Sequence, residues 1–119
     1  MPDMVKHNGS CHCGRGRYEV ETDLATVLAC NCSLCRKRGA LWAYVDGAHF
    51  KLISGKDDLT DYQFNKKVIH HTFCKHCEVG AFSKRQDESG AESYGINVRC
   101  LDEVDVEALA LTPFDGKSR

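Results

Sequence analysis

The stretch Cys30-Asn31-Cys32-Ser33-Leu34-Cys35-Arg36-Lys37-Arg38-Gly39-Ala40 places three thiols within six residues and follows them with three cations. Two further thiol pairs lie far from it along the chain, in Cys11-His12-Cys13 and in Cys74-Lys75-His76-Cys77. Seven of the eight cysteines fall in these three clusters. Cysteines two or three residues apart are already neighbours, so a disulfide inside a cluster would constrain little of the unfolded chain. A metal site needs such local pairs, because one turn then delivers two sulfurs to one ion. A disulfide framework is the competing reading for any small cysteine-rich domain. It suits an oxidising compartment, whereas Met1-Pro2-Asp3-Met4-Val5-Lys6-His7 contains no apolar leader segment. The reading that follows is a soluble cytoplasmic protein that binds zinc through thiolates.

Structural zinc takes four tetrahedral ligands, commonly two cysteine pairs from distant segments. The first and third clusters offer two sulfurs each and together make one closed site from Cys11, Cys13, Cys74 and Cys77. The middle cluster offers Cys30, Cys32 and Cys35. Three protein ligands plus water or substrate is the arrangement expected of a reactive zinc. Spacing alone does not force this partition. A closed site built from the middle cluster and one sulfur of another cluster is also compatible with it.

The remaining residues divide between plain and functional readings. Cys100, in Asn97-Val98-Arg99-Cys100-Leu101-Asp102, packs as a buried free thiol or completes the middle site. His12 and His76 stand between ligands and are expected to point outward. His70 and His71 occupy adjacent strand positions that face opposite ways, and neither is expected to bind metal. Arg36-Lys37-Arg38 reads as a solvated patch offsetting thiolate charge, or as a clamp for the carboxylates of a small acidic ligand. Trp42 and Tyr44 suit a strand core, and either suits a pocket wall. Arg36, Arg38 and Trp42 are thus the candidate substrate contacts.

At 119 residues, 42% apolar and 28% charged, the chain reads as one domain spanning 1–119. Sixteen basic residues against seventeen acidic ones leave no electrostatic footprint for nucleic acid or an anionic membrane. No apolar run is long enough to span a bilayer as a helix. Alternation and β-branching predict strands at Arg17–Glu21, Leu41–Val45, Phe50–Ile53, Leu59–Phe64, Lys67–Phe73, Gly80–Ser83 and Ser93–Val98. Leu59–Phe64 and Lys67–Phe73, joined through Asn65-Lys66, suggest a hairpin. Arg85-Gln86-Asp87-Glu88-Ser89-Gly90 reads as a solvated loop. Helical signals are confined to one turn at Ser33–Arg38 before Gly39 and a short helix at Asp105–Leu109 capped by Asp105. The residues 113–119 read as a frayed tail. The expected architecture is mainly β, with small sheets held by two zinc–cysteine sites.

Gly9-Ser10-Cys11-His12-Cys13-Gly14 with Arg17-Tyr18-Glu19-Val20 resembles the opening of the glutathione-dependent formaldehyde-activating enzyme family. The middle stretch quoted first resembles that family's central motif. Phe73-Cys74-Lys75-His76-Cys77 is similar to its third motif, and Asn97–Asp102 to its closing segment. The likeness runs from about 9 to 105, and relatives include the centromere protein V-like proteins and short bacterial chains. It implies a β-tent fold and two zinc ions, one structural on Cys11, Cys13, Cys74 and Cys77 and one reactive on Cys30, Cys32 and Cys35. It also implies a carbon–sulfur lyase that joins formaldehyde to glutathione as S-hydroxymethylglutathione. Two departures stand out. Glu78 occupies the place where the family usually has glycine after the second cysteine of its third motif. Arg15-Gly16 replaces a small apolar pair after Gly14.

The same residues also suit a thiol or thiol-adduct carrier without catalysis, or a zinc-stapled interaction module. An exchangeable ligand on the middle site separates the first two readings from the third.

Overall fold

The computed structural model describes residues 5–63 and 69–116. Strand β2 (Arg17–Thr22) shows how the sequence builds the core, since its alternation sends Tyr18, Val20 and Thr22 to one buried face. It lies between β1 (Val5–Ser10) and β5 (Phe50–Ser54), antiparallel to both, in a three-stranded sheet. The remaining strands are β3 (Val27–Cys30), β4 (Trp42–Asp46), β6 (Leu59–Tyr62), β7 (Ile69–Cys74), β8 (Phe82–Gln86), β9 (Glu92–Asn97) and β10 (Leu111–Phe114). They form a seven-stranded sheet in the order β10-β3-β4-β9-β8-β7-β6. Within it, β10 runs parallel to β3, and the other pairs are antiparallel.

The mainly β architecture agrees with expectation. Among the described residues the one α-helix is α1 (Ser33–Arg38), and single 3-10 turns occupy Gly47–His49, Lys56–Asp58, Val98–Cys100 and Val106–Ala108. Asp105 caps the last of these, its side chain accepting from the Glu107 N–H. No helix among the described residues is long and apolar enough to cross a membrane.

The two sheets meet over Tyr18, Val20, Val27, Leu41, Ala43, Ala81, Phe82, Ile96, Val98 and Leu101. Phe50 stacks on Tyr94 at 4.1 Å between centroids and packs on Phe82 at 5.0 Å, which joins β5 to β9 and β8. Tyr18 donates its hydroxyl to the Ala81 carbonyl at 3.2 Å, so the buried phenol is satisfied. Its ring lies against Gly9, where a Cβ would stand only 2.4 Å from Cζ. Glycine at that point is a packing requirement.

Several expectations need correction. Strand β8 begins at Phe82 and continues through Arg85 and Gln86, so the loop shrinks to the turn around Asp87–Ala91, where the Asp87 carboxylate accepts from Ser89 and Ala91. The pairing of Arg85 with Ser93 and of Gln86 with Glu92 holds those polar residues in the sheet. Residues 113–116 are not a frayed tail: Pro113 and Phe114 pair with Ala29 and Cys30, and Asn31 donates to Asp115. Pro113 is tolerated because β10 is an edge strand, where a missing N–H costs little. Strands β6 and β7 pair as the hairpin reading requires, while its connection at Asn65-Lys66, with Phe64, Lys67 and Val68, lies outside the described residues. Strands β1, β3 and β10 gave no clear sequence signal.

Candidate metal and active site

All eight cysteines are free thiols, and seven of them converge in two groups. In each group the sulfurs lie within 4.8 Å of one another.

The first group joins two turns that are remote in sequence. Cys11 follows β1, and the turn to β2 closes through Gly14 N–H on the Cys11 carbonyl and Cys11 N–H on the Gly16 carbonyl. Cys74 ends β7, and Glu78 N–H returns to its carbonyl at 2.8 Å, bringing Cys77 alongside. Cys13 Sγ stands 3.6 Å from both Cys11 Sγ and Cys74 Sγ, the latter across 61 residues. Backbone N–H groups of Gly16 and His76 point at Cys11 Sγ and Cys74 Sγ, each at 3.4 Å. Cys13 is exposed, and its thiol is lowered to about 6 by the backbone N–H of Arg15, then by the Arg15 side chain. Arg15 therefore works as a counter-charge to this group, which gives a physical reason for its presence in the turn. Gly16 packs against Cys11 Sγ, and Gly55 is needed because a Cβ there would sit 2.6 Å from the Arg15 carbonyl. At Glu78 the backbone takes φ 67, a left-handed conformation that glycine would adopt without strain.

The second group is local. Cys30 ends β3, Cys32 caps α1, and Cys35 is buried within that helix. The cap is made by sulfur: Cys32 Sγ accepts from the Cys35 N–H at 3.4 Å, and Cys30 Sγ accepts from the Cys32 N–H at 3.4 Å. Gly39, at φ 68, terminates the helix with its N–H on the Cys35 carbonyl. Trp42 Nε1 donates to Cys35 Sγ at 3.2 Å. Burial pushes the Cys35 thiol up to about 12, the neighbouring Cys32 adding to the rise and the indole N–H opposing it. Among the described residues no further cysteine, histidine or carboxylate atom joins the three sulfurs within that distance.

The structure separates the other expected site residues. Trp42 lies behind Cys35, with 4% of its surface exposed. Tyr44, two residues along the same strand, keeps 56% of its surface exposed, while desolvation of its hydroxyl and then Cys35, Cys30 and Cys32 push the phenol up to about 12. It therefore stands within the field of all three thiols. Arg36 is exposed on α1, and Arg38 turns away over the Phe73 ring at 5.4 Å. Arg99 donates Nε–H to the Gly39 carbonyl at 3.1 Å, adding a cation at the helix end that the sequence did not single out. Cys100 is half-buried against the main core, with its thiol pushed up to about 11 by burial and then by Cys11 and Cys77. It thus adjoins the first group and not the second.

No histidine belongs to either group among the described residues. His76 Nε2 pairs with Asp58 at 2.8 Å, His70 Nδ1 pairs with Asp61 at 2.6 Å, and His12 is exposed. Burial and then the Arg38 charge hold His71 below the usual imidazole range.

Comparison with known proteins places this geometry in a family. The profile described as "Glutathione-dependent formaldehyde-activating enzyme" matches residues 6–113. A Rhodobacter sphaeroides protein of known crystal structure is 36% identical, covering 92% of this chain and 98% of its own, with a TM-score of 0.77. The family match spans both cysteine groups and nearly all ten described strands, and on that ground the chain belongs to the glutathione-dependent formaldehyde-activating enzyme family.

Proposed function

We propose that this protein is a zinc-dependent carbon–sulfur lyase acting on the adduct of a thiol such as glutathione with an aldehyde such as formaldehyde. Cys11, Cys13, Cys74 and Cys77 hold a structural zinc, and Cys30, Cys32 and Cys35 hold the reactive one. Around a tetrahedral zinc with Zn–S bonds of about 2.3 Å, sulfurs stand about 3.8 Å apart. The 3.6 Å separations at Cys13 suit that geometry, and an all-sulfur donor set suits zinc. The observation that carries the functional reading is the group of three converging thiols that no fourth ligand atom joins among the described residues.

Zinc bound there supplies a Lewis acid that keeps a coordinated thiol deprotonated at neutral pH. The chain's own groups do the rest. N–H donors from Cys32, Cys35 and Trp42 fix the sulfurs of Cys30, Cys32 and Cys35 and spread their charge. Tyr44 offers a phenolic O–H beside them, suited to donate to the oxygen that gains a proton when a thiol adds across a carbonyl. That addition makes one C–S bond and moves the thiol proton to oxygen, so it needs no oxidant or reductant. The reverse breaks the same bond. Arg36, exposed on α1, supplies charge for the carboxylates of an acidic thiol.

NMR of 13C-labelled formaldehyde mixed with glutathione tests the reading, because exchange between free and adduct carbon reports the rate directly. The zinc-loaded protein is expected to accelerate that exchange, and Cys30→Ser is expected to abolish the acceleration. Equal exchange with and without the protein would refute lyase activity.

A further inference from the structure

Residues 114–116 lie against the second cysteine group. Strand β10 lies parallel to β3 with Phe114 opposite Cys30. The Asn31 N–H donates to the Phe114 carbonyl at 3.1 Å, and Asn31 Nδ2 donates to Asp115 Oδ1 at 3.0 Å. Asn31 is the residue between Cys30 and Cys32, so both bonds bear on the turn that presents two of the three sulfurs. Gly116 then sits directly on them. A Cβ built there would stand 2.6 Å from Cys30 Sγ and 3.1 Å from Cys32 Cβ, closer than real contacts allow. The segment is therefore in van der Waals contact with a sulfur, through a residue with no side chain.

We propose that Asp115 and Gly116 are positioning residues of the three-cysteine centre: they hold the Cys30–Cys32 turn in its metal-binding shape and form one wall of the site. The inference rests on the second group being a metal centre. A loop of six residues carrying three thiols has many alternative conformations, and a local cluster lacks the long-range cross-link that fixes the first group. Pairing with β10 supplies that missing anchor from the far end of the chain. Glycine at 116 lets the anchor come close without displacing sulfur. Outer groups that orient metal ligands typically change affinity by about 10- to 100-fold when removed.

Titration of the metal-free full-length protein with cobalt(II), which has visible bands in sulfur sites, separates the two centres. The unmodified protein is expected to take up two equivalents. Gly116→Ala is expected to weaken the second equivalent by about tenfold or more, and Gly116→Val further, with the first equivalent and the melting temperature of the one-cobalt form unchanged. Asp115→Ala, which removes the Asn31 anchor, is expected to weaken it by about three- to tenfold. Unmodified protein that binds two equivalents, with all three variants binding the second as tightly, would overturn the inference while leaving the metal centre intact. Unmodified protein that binds only one would remove the metal centre itself, and the inference with it.

Discussion

Trp42 Nε1 and Cys35 Sγ lie 3.2 Å apart, the indole donating to a sulfur seven residues earlier in the chain. Both side chains are buried, at 4% and 7% exposure. The bond ties strand β4 to helix α1, so the sheet itself orients one of the three thiols. Gly95 on β9 makes this possible, because a Cβ there would stand 3.3 Å from the Trp42 ring and 3.0 Å from that of Tyr44.

Trp42→Phe keeps an aromatic ring in place and removes the N–H. Losing an outer-shell donor to a metal ligand is expected to weaken zinc at the three-cysteine group by about 10-fold or more. Competition with a chromophoric chelator measures this, with the four-cysteine group as the internal reference. Unchanged affinity would show that the indole only fills space.

Glu78 offers a test of local strain. Its φ of 67 puts an L residue in the left-handed region, just after Cys77. Such a conformation costs an L residue roughly 1–2 kcal/mol, offset in part by the greater unfolded-state entropy of glycine. Glu78→Gly is expected to raise stability by about 0.5–1 kcal/mol in urea denaturation at constant zinc. A lower urea midpoint would contradict that assignment.

The two groups are expected to differ in what they do for folding. Cys11, Cys13, Cys74 and Cys77 clip the β1–β2 turn to the β7–β8 turn, and zinc bound across such a closure contributes of order 10 kcal/mol to folding. Cys11→Ser and Cys77→Ser are expected to give molten or insoluble protein. Cys35→Ser is expected to keep a cooperative melt, since its group spans only a short segment that β3 and β10 already hold. Equal losses of melting temperature in all three variants would show that the division of labour is wrong.

Much of this was legible in the sequence, because thiol spacing is a strong local signal. The three clusters gather into one of the divisions that their spacing allowed, and the alternation at Arg17–Glu21 marks a half-buried strand that runs on to Thr22. Strands β1 and β3 were not legible. Val5–Ser10 is polar and half exposed, and Val27–Cys30 is four residues long, so each exists through its partner and not through its own pattern. The carboxyl-terminal strand was hidden for the same reason, with Pro113 arguing against it. Tertiary pairing also decided the side-chain roles. Trp42 and Arg38 both follow the cysteine motif, yet one meets a sulfur and the other the Phe73 ring. Nothing in the order of residues separates those fates. Cys100 likewise sits by Cys11 and Cys77 because the Val98–Cys100 turn returns to the first group.

The central claim is that the three-cysteine group holds a metal with one exchangeable position. Visible spectroscopy of the two-cobalt protein during addition of a thiol tests it most directly, since a new sulfur ligand shifts the d–d and charge-transfer bands. Glutathione and a small neutral thiol are both expected to change the spectrum. Cys100→Ser is expected to leave the response intact, and loss of Cys30, Cys32 or Cys35 to abolish it. Arg36→Gln is expected to weaken glutathione by about 1–3 kcal/mol while sparing the neutral thiol. A spectrum that no thiol alters would mean that the protein itself fills the fourth position, and the lyase reading would fall with it.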